Sequence, residues 1–94
     1  MKYDVANRRI WFKGEILNVN DAKINILAPT SQFGLNVFEG IPCYWNDEEK
    51  QLYAFRLDEH YDRLIRSAKL IQIDNPYNKD EMKKALVDLS LIHI

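Results

Sequence analysis

The sequence predicts an α+β domain in which antiparallel strands come first and two helices follow. Two observations predict this order. Up to residue 55, short stretches rich in aromatic and β-branched side chains alternate with turn-forming residues, as is typical of strands. From Leu57 onwards, apolar residues recur every three or four positions, as is typical of amphipathic helices. The 94 residues are enough for one small domain or for a piece of a larger protein.

The strand-like stretches predict two hairpins, formed by residues 8–12 with 15–19 and by residues 37–45 with 51–55. Gly14 supplies the positive φ that a tight turn needs in the first hairpin. Pro42 lacks a backbone donor, so its strand is expected to lie at an edge or to carry a bulge. Between the hairpins, the alternation of residues 23–27 predicts a short strand, and residues 28–36 predict a loop or a single helical turn.

Two amphipathic stripes predict the helices. They comprise Leu57, Tyr61, Leu64, Ile65 and Ala68 in the first helix and Met82, Ala85, Leu86 and Leu89 in the second. Asp58 is the predicted N-cap of the first helix. Asn78, followed by Glu81 three residues later, resembles a capping box at the start of the second helix.

Basic residues lie beside the stripe of the first helix, and they permit two interpretations. Glu59 precedes Arg63 by four residues and Asp62 precedes Arg66 by four, so two surface ion pairs would account for both arginines. Alternatively, one arginine offers its planar guanidinium to a phosphate or a carboxylate. Spacing alone favours the solvated surface and leaves the second interpretation open.

Composition narrows the classes of partner and compartment. The net charge is −1, with 13 basic and 14 acidic residues and no basic cluster, which disfavours nucleic acid and anionic membranes as partners. No apolar run reaches the length of a membrane span, and residues 1–7 lack the apolar core of a signal peptide. Cys43 is the only cysteine, so no internal disulfide is possible and a cytoplasmic location is expected.

The residues alone do not identify a catalytic centre. His60 and His93 lack the spacing of metal ligands, so no metal site is expected. Cys43 and His60 could form a nucleophilic pair. A lone cysteine in an alternating strand, however, is more often a small buried hydrophobic residue, and this interpretation is favoured.

Three segments, taken in order, resemble the small N-terminal domain of the fold-type IV (class IV) pyridoxal-phosphate aminotransferases. They read IWFKGE at residues 10–15 with DAK at residues 21–23, QFGLNVFEGI at residues 32–41, and FRLDEHYDRLIRSAK at residues 55–69. The resemblance covers nearly all of residues 8–88. Within the family, the chain is most similar to branched-chain amino-acid aminotransferases. The D-amino-acid aminotransferases and aminodeoxychorismate lyases share the Gln-Phe-Gly piece and usually differ after it.

The resemblance implies roles for four residues. Arg63 matches the arginine that binds the phosphate of pyridoxal 5'-phosphate. Phe38 matches an aromatic residue that lines the pocket for the substrate side chain, and Gly40 lies where the backbone comes close to that pocket. Phe33 matches a position that reaches the neighbouring subunit's site in a homodimer. Ordinary core packing remains the alternative for Phe38 and Phe33.

Three positions depart from the pattern of the branched-chain enzymes. Phe33 stands where tyrosine is common, so a hydroxyl is missing, and Gln32 replaces a frequent histidine. Pro42 occupies a position that is often arginine. The loss of that cation bears on the recognition of acidic co-substrates such as glutamate.

The resemblance also implies what this stretch of chain lacks. In the family, the Schiff-base lysine lies in a C-terminal large domain, and no lysine of this sequence occupies a matching motif, so no catalytic residue is expected here. The expected function is therefore that of a fragment, inactive alone, of a transaminase that moves an amino group between branched-chain amino acids and 2-oxoglutarate. The alternatives are a D-amino-acid aminotransferase or aminodeoxychorismate lyase of the same family, and a non-catalytic binding or dimerisation module.

The end of the chain has a different predicted origin. Residues 89–94 match the translation of a common sequencing-library transposon end in one reading frame. We therefore expect residues 1–88 to be the truncated small domain and residues 89–94 to be a non-native read-through tail. A genomic read that continues in frame past Ile94 would contradict this expectation.

Overall fold

The structure, a computed structural model, describes residues 7–93 of the chain. Its elements are β1 (Arg9–Phe12), β2 (Glu15–Asn18), a 3-10 turn (Val19–Asp21), α1 (Pro29–Phe33), β3 (Cys43–Asn46), β4 (Gln51–Ala54), α2 (Leu57–Leu70) and α3 (Lys79–His93). Two antiparallel strand pairs are thus followed by two longer helices, which confirms the predicted α+β order. The described residues form two compact units, one of which is Asn36–Lys79, while the other contains the residues up to Leu35 and from Asp80 onwards.

The hairpin of the first unit forms as predicted. β1 pairs antiparallel with β2, and Trp11 stands opposite Ile16. Lys13 and Gly14 both have positive φ, at 53° and 89°. A two-residue hairpin turn of the type that matches strand twist requires positive φ at both central positions, and glycine adopts it without steric cost.

The predicted strand at residues 23–27 is wrong, because Asn25 folds this segment into a turn. The Asn25 side-chain oxygen accepts a hydrogen bond from the Leu27 amide at 2.7 Å, and the Asn25 carbonyl accepts from the Ala28 amide at 3.0 Å. Such local bonds to an asparagine side chain compete with strand pairing. The helical turn predicted next is confirmed as α1, which starts at Pro29, ends at Phe33 and is capped by Gly34 with φ 68°.

The second hairpin is shorter than predicted. β3 pairs antiparallel with β4, but it begins at Cys43, so residues 37–42 lie outside the ladder. Pro42 has no N–H to donate, and only its carbonyl takes part, accepting from the Phe55 amide at 2.8 Å. Exposure nevertheless alternates along the segment from Val37 to Ile41 with the period of two that the sequence predicts for extended backbone.

α2 carries the predicted apolar stripe, but its cap differs. Tyr61 and Ala68 are buried. The predicted cap, Asp58, lies instead in the first turn, because the helix already begins at Leu57. Arg56 occupies the cap position in a left-handed conformation with φ 51° and makes no side-chain capping bond.

The end of α2 is closed by two backbone hydrogen bonds. The Gln72 amide donates to the Lys69 carbonyl at 3.2 Å, and the Ile73 amide donates to the Ala68 carbonyl at 2.9 Å. Gln72 has φ 59°. This pairing is the Schellman arrangement, with glutamine at the left-handed position that glycine usually fills.

α3 begins at Lys79, directly after the predicted cap Asn78, and its stripe places Ala85 in a buried position. The helix runs through His93, whereas Ile94 lies outside the described residues, so the origin of residues 89–94 stays a prediction. Within residues 7–93, no helix is long and apolar enough to cross a bilayer.

Candidate functional site

The main polar cluster of the second unit joins α2 to the segment before β3. Arg63 on α2 donates two hydrogen bonds to the Glu39 carboxylate, from Nε to Oε2 at 2.8 Å and from Nη2 to Oε1 at 2.7 Å. Two parallel N–H···O bonds fix a planar guanidinium against a planar carboxylate more strongly than one point contact does. The orientation of the Arg63 head group is therefore set by Glu39.

His60 completes this cluster. It lies three residues before Arg63 on the same face of α2, and its Nδ1 is 2.7 Å from Glu39 Oε1. An ionised carboxylate can only accept hydrogen bonds, so the proton of the imidazole must be on Nδ1. The carboxylate is thus held by donors from two residues.

Electrostatics keep the Glu39–Arg63 pair ionised. The hydrogen bonds from Arg63 first, and from His60 second, lower the pKa of Glu39 to about 2. Glu39 in turn raises the pKa of Arg63. The Glu39 side chain is 8% exposed, whereas that of Arg63 is 61% exposed. Arg63 therefore carries a permanent positive charge at the surface, and the nearly buried Glu39 holds its guanidinium in one orientation.

The surface ion pairs expected from helix spacing do not form. Glu59 lies 3.9 Å from Arg56 rather than against Arg63, and Asp62 accepts from Lys79 at 2.9 Å rather than from Arg66. The reason is that Glu39 presents a nearly buried, preoriented carboxylate to Arg63, against which an exposed and flexible Glu59 competes poorly.

An open cleft adjoins the exposed side of Arg63. Its volume is about 410 Å³, and it is lined by Phe55, Arg56, Glu59, His60, Arg63 and Arg66. Three guanidinium groups face one carboxylate in this lining, and the aromatic ring of Phe55 adds an apolar wall. The cleft therefore favours an anionic ligand.

The structure brings three of the four predicted site residues into one unit. Phe38 and Gly40 flank Glu39, which contacts Arg63 directly. Phe38 is 85% exposed, and a Cβ built on Gly40 meets no atom of the described residues within 4 Å. Phe33 lies at the end of α1 in the other unit and is 76% exposed. Core packing within the described chain therefore accounts for neither phenylalanine.

The prediction that Cys43 is a small buried hydrophobic residue is wrong. The thiol is free and exposed at the start of β3, and Sγ lies 3.6 Å from the Ile41 carbonyl oxygen. Cys43 stands opposite Ala54 at the end of a two-stranded ladder, where alternation alone does not bury a residue.

Comparison with known proteins tests the resemblance. The family model described as amino-transferase class IV matches residues 36–91, more than half of the chain. The chain belongs to the class IV aminotransferase family. The matched residues include the whole Glu39–His60–Arg63 cluster.

Individual relatives of this class IV chain are branched-chain enzymes. It is 40% identical over 72 residues to a probable branched-chain-amino-acid aminotransferase of Aquifex aeolicus, and the matched region covers 77% of this chain and 23% of that relative. It is 39% identical over 80 residues to the branched-chain-amino-acid aminotransferase of Escherichia coli strain K12, covering 85% and 25%. The chain thus spans about a quarter of the length of these relatives.

A solved structure supports the same assignment. The crystal structure of a branched-chain aminotransferase from Thermoproteus uzoniensis with norvaline matches with a TM-score of 0.80 and 44% identity, over 87% of this chain and 27% of that chain. The predicted fold, the N-terminal domain of a fold-type IV aminotransferase, is therefore confirmed.

The residues present fit the phosphate of the cofactor that the family implies. Glu39 occupies the Nε–Nη2 edge of the Arg63 guanidinium, and no acceptor among residues 7–93 binds the other edge, which is formed by one N–H of Nη1 and the second N–H of Nη2. A dianionic phosphate is matched by such paired, outward-facing N–H groups.

Proposed function

We propose that this chain is the small domain of a pyridoxal-phosphate-dependent transaminase that moves an amino group between branched-chain amino acids and 2-oxoglutarate. The observation that carries the proposal is the fixed, outward-facing guanidinium of Arg63 in a cationic cleft. The branched-chain aminotransferases among its relatives supply the substrate class.

In this mechanism, Arg63 anchors the phosphate of pyridoxal phosphate. The cofactor, when bound, supplies an electron sink for the bond changes at the amino-acid α-carbon. The part of this chain would be to hold the phosphate of the cofactor in one position, through the guanidinium of Arg63. A guanidinium suits this role because it stays charged at every working pH and grips two oxygens at once.

Phe38 and Gly40 are proposed to face the substrate side chain. The exposure of Phe38 supports this role, because an uncovered phenylalanine ring leaves apolar surface available for an aliphatic side chain. The open space at Gly40 supports it too, because nothing in the described chain requires glycine there.

The assembly belongs to the same proposal. A large C-terminal domain carrying the cofactor lysine and a second subunit reached by Phe33 would cover the apolar side chains that the described residues leave exposed, among them Ile26, Leu27, Phe33 and Leu70. Without that lysine, these 94 residues alone are expected to be inactive. A free, exposed cysteine is compatible with the reducing cytoplasm proposed as the location.

The test starts from the complete gene. The purified product should show the absorbance of protein-bound pyridoxal phosphate and should transfer the amino group of L-leucine or L-valine to 2-oxoglutarate. Arg63→Gln should weaken cofactor binding, whereas Lys69→Gln, which removes the same charge from the same helix outside the cleft, should not. Activity with D-alanine in place of the L-amino acids would favour the D-amino-acid enzyme. A product that binds no cofactor would favour a non-catalytic module.

A further inference from the structure

We infer that Glu39 is a positioning residue, which holds Arg63 in the orientation that binds the cofactor phosphate and ties the Phe38–Gly40 backbone to α2. The inference rests on the proposed function and adds to it a residue for which the family resemblance implies no role. Glu39 touches neither cofactor nor substrate in this scheme. It acts through Arg63 and through its own backbone.

The first support is the division of the guanidinium into two edges. Glu39 occupies the edge formed by Nε and Nη2, so the Nη1 side is the one left for an anion. Without the carboxylate, an arginine that is 61% exposed would sample many rotamers and would have to be ordered at each binding event. A prefixed side chain avoids that entropic cost.

The second support is that Glu39 is itself fixed. Its Oε1 accepts from Arg63 Nη2 and from the Nδ1 of His60, both at 2.7 Å, and its Oε2 accepts from Arg63 Nε at 2.8 Å. Both donor residues lie on α2, three positions apart. The carboxylate therefore cannot rotate without losing a charge-assisted hydrogen bond.

The third support concerns the segment that carries Glu39. Among residues 7–93, no backbone–backbone hydrogen bond involves residues 36–41. The side chain of Glu39 is a polar link between this segment and α2, through its bonds to His60 and Arg63. Phe38 and Gly40, the residues proposed to face the substrate, are its immediate neighbours. One side chain thus sets both the phosphate anchor and the substrate-facing backbone.

Charge and geometry make opposite predictions for Glu39→Gln. Removing a negative charge near an anion site should tighten phosphate binding if only the field matters. If positioning matters, binding should weaken, because a glutamine amide turns a donor towards one of the two guanidinium N–H groups in either orientation. Glu59→Gln is the matched control, since it removes the same charge from the lining of the same cleft without touching the Glu39–Arg63 pair.

The experiment measures dissociation constants of pyridoxal phosphate and of pyridoxal for the product of the complete gene, purified without cofactor. For Glu39→Gln we expect the dissociation constant of pyridoxal phosphate to rise about tenfold, because one aligned charge-assisted hydrogen bond is lost. The dissociation constant of pyridoxal should stay unchanged. Glu59→Gln should not raise either constant. Glu39→Asp, which keeps both acceptor oxygens on a shorter side chain, should lie between wild type and Glu39→Gln.

A second readout uses the wild-type protein and needs no stable variant. The Arg63 Nε–H should exchange slowly with solvent in nitrogen-edited NMR spectra, whereas that of Arg66 should exchange fast. Wild-type protein that binds pyridoxal phosphate, with Glu39→Gln binding it equally or more tightly, would overturn the positioning role and leave the proposed function intact. An Arg63 Nε–H that exchanges as fast as the Nε–H of Arg66 would also overturn the positioning role and leave the proposed function intact. Wild-type protein that binds no pyridoxal phosphate would overturn the proposed function itself.

Discussion

Replacing Arg63 by glutamine should raise the pKa of Glu39 and reverse more than half of its shift from the ordinary value of 4.5. In the structure that pKa is about 2, and the hydrogen bonds from Arg63 are the largest cause, followed by the bond from His60. Arg63 supplies two of the three hydrogen bonds to the carboxylate and a charge that no accessible pH removes. His60→Gln should therefore raise the pKa less than Arg63→Gln does.

The sign of the accompanying stability change follows from the direction of the shift. Glu39 has a lower pKa in the folded chain than in the unfolded chain, so folding favours its ionised form. The stabilisation from the cluster is fully present above about pH 4.5 and is lost as the pH falls through about 2. In Arg63→Gln this loss should begin at a higher pH than in the wild type.

The assay is a titration of the Glu39 side-chain carbon by NMR on carbon-labelled protein, from about pH 6 to about pH 3, with amide spectra as a check of folding. The wild-type resonance should move little over this range, and that of Arg63→Gln should titrate. Arg66→Gln is the control, because it removes the same charge one turn further along the same cleft without contacting Glu39. A wild-type carboxyl that titrates near 4.5, or an Arg66→Gln effect as large as that of Arg63→Gln, would refute the reasoning.

Three further predictions test the anchor, the core and the two glycines. Arg63→Lys should raise the dissociation constant of pyridoxal phosphate for the complete protein roughly tenfold, because an ammonium group cannot make the paired bonds; calorimetric titration checks this. Tyr61→Ala should lower the free energy of unfolding of this chain, measured in urea, by about 3 kcal/mol, because Tyr61 is buried. Tyr44→Ala, the same change at an exposed site, should lower it by about 0.5 kcal/mol or less. Gly34→Ala should cost about 1 kcal/mol, because φ is 68° there, whereas Gly40→Ala, in open space, should leave stability unchanged and raise the KM for the amino acid.

Local chemistry explains which parts of the fold could be predicted from the sequence. The Lys13-Gly14 turn and the stripe that buries Tyr61 and Ala68 depend only on neighbours within one turn or one hairpin, so their patterns are visible in the sequence. The false strand at residues 23–27 has a local cause as well. The side chain of Asn25 offers the backbone a turn that competes with two-residue alternation, and alternation over so few residues is a weak signal.

The candidate site required information that spacing does not contain. Helix periodicity placed Arg63 beside Glu59, but the structure pairs it with Glu39, 24 positions away in the sequence. No local rule joins two residues so far apart, since their meeting depends on how the segment before β3 packs on α2. The one sequence signal was that an acidic residue interrupts an otherwise apolar stretch, Val37-Phe38-Glu39-Gly40-Ile41. A carboxylate in such a stretch requires a cationic partner if it is not to face water.

The alternation of that stretch fits the two roles that we propose for one short segment. Val37, Glu39 and Ile41 are the less exposed positions, and Phe38 and Gly40 are the more exposed ones. Because successive side chains of extended backbone point to opposite sides, the side facing α2 holds Arg63 while the other side, which carries Phe38, remains exposed. A shift of the segment by one residue would exchange the two sides, burying Phe38 and exposing Glu39. The Glu39–Arg63 bonds oppose that shift more specifically than apolar contacts do, because two parallel hydrogen bonds form in one register only.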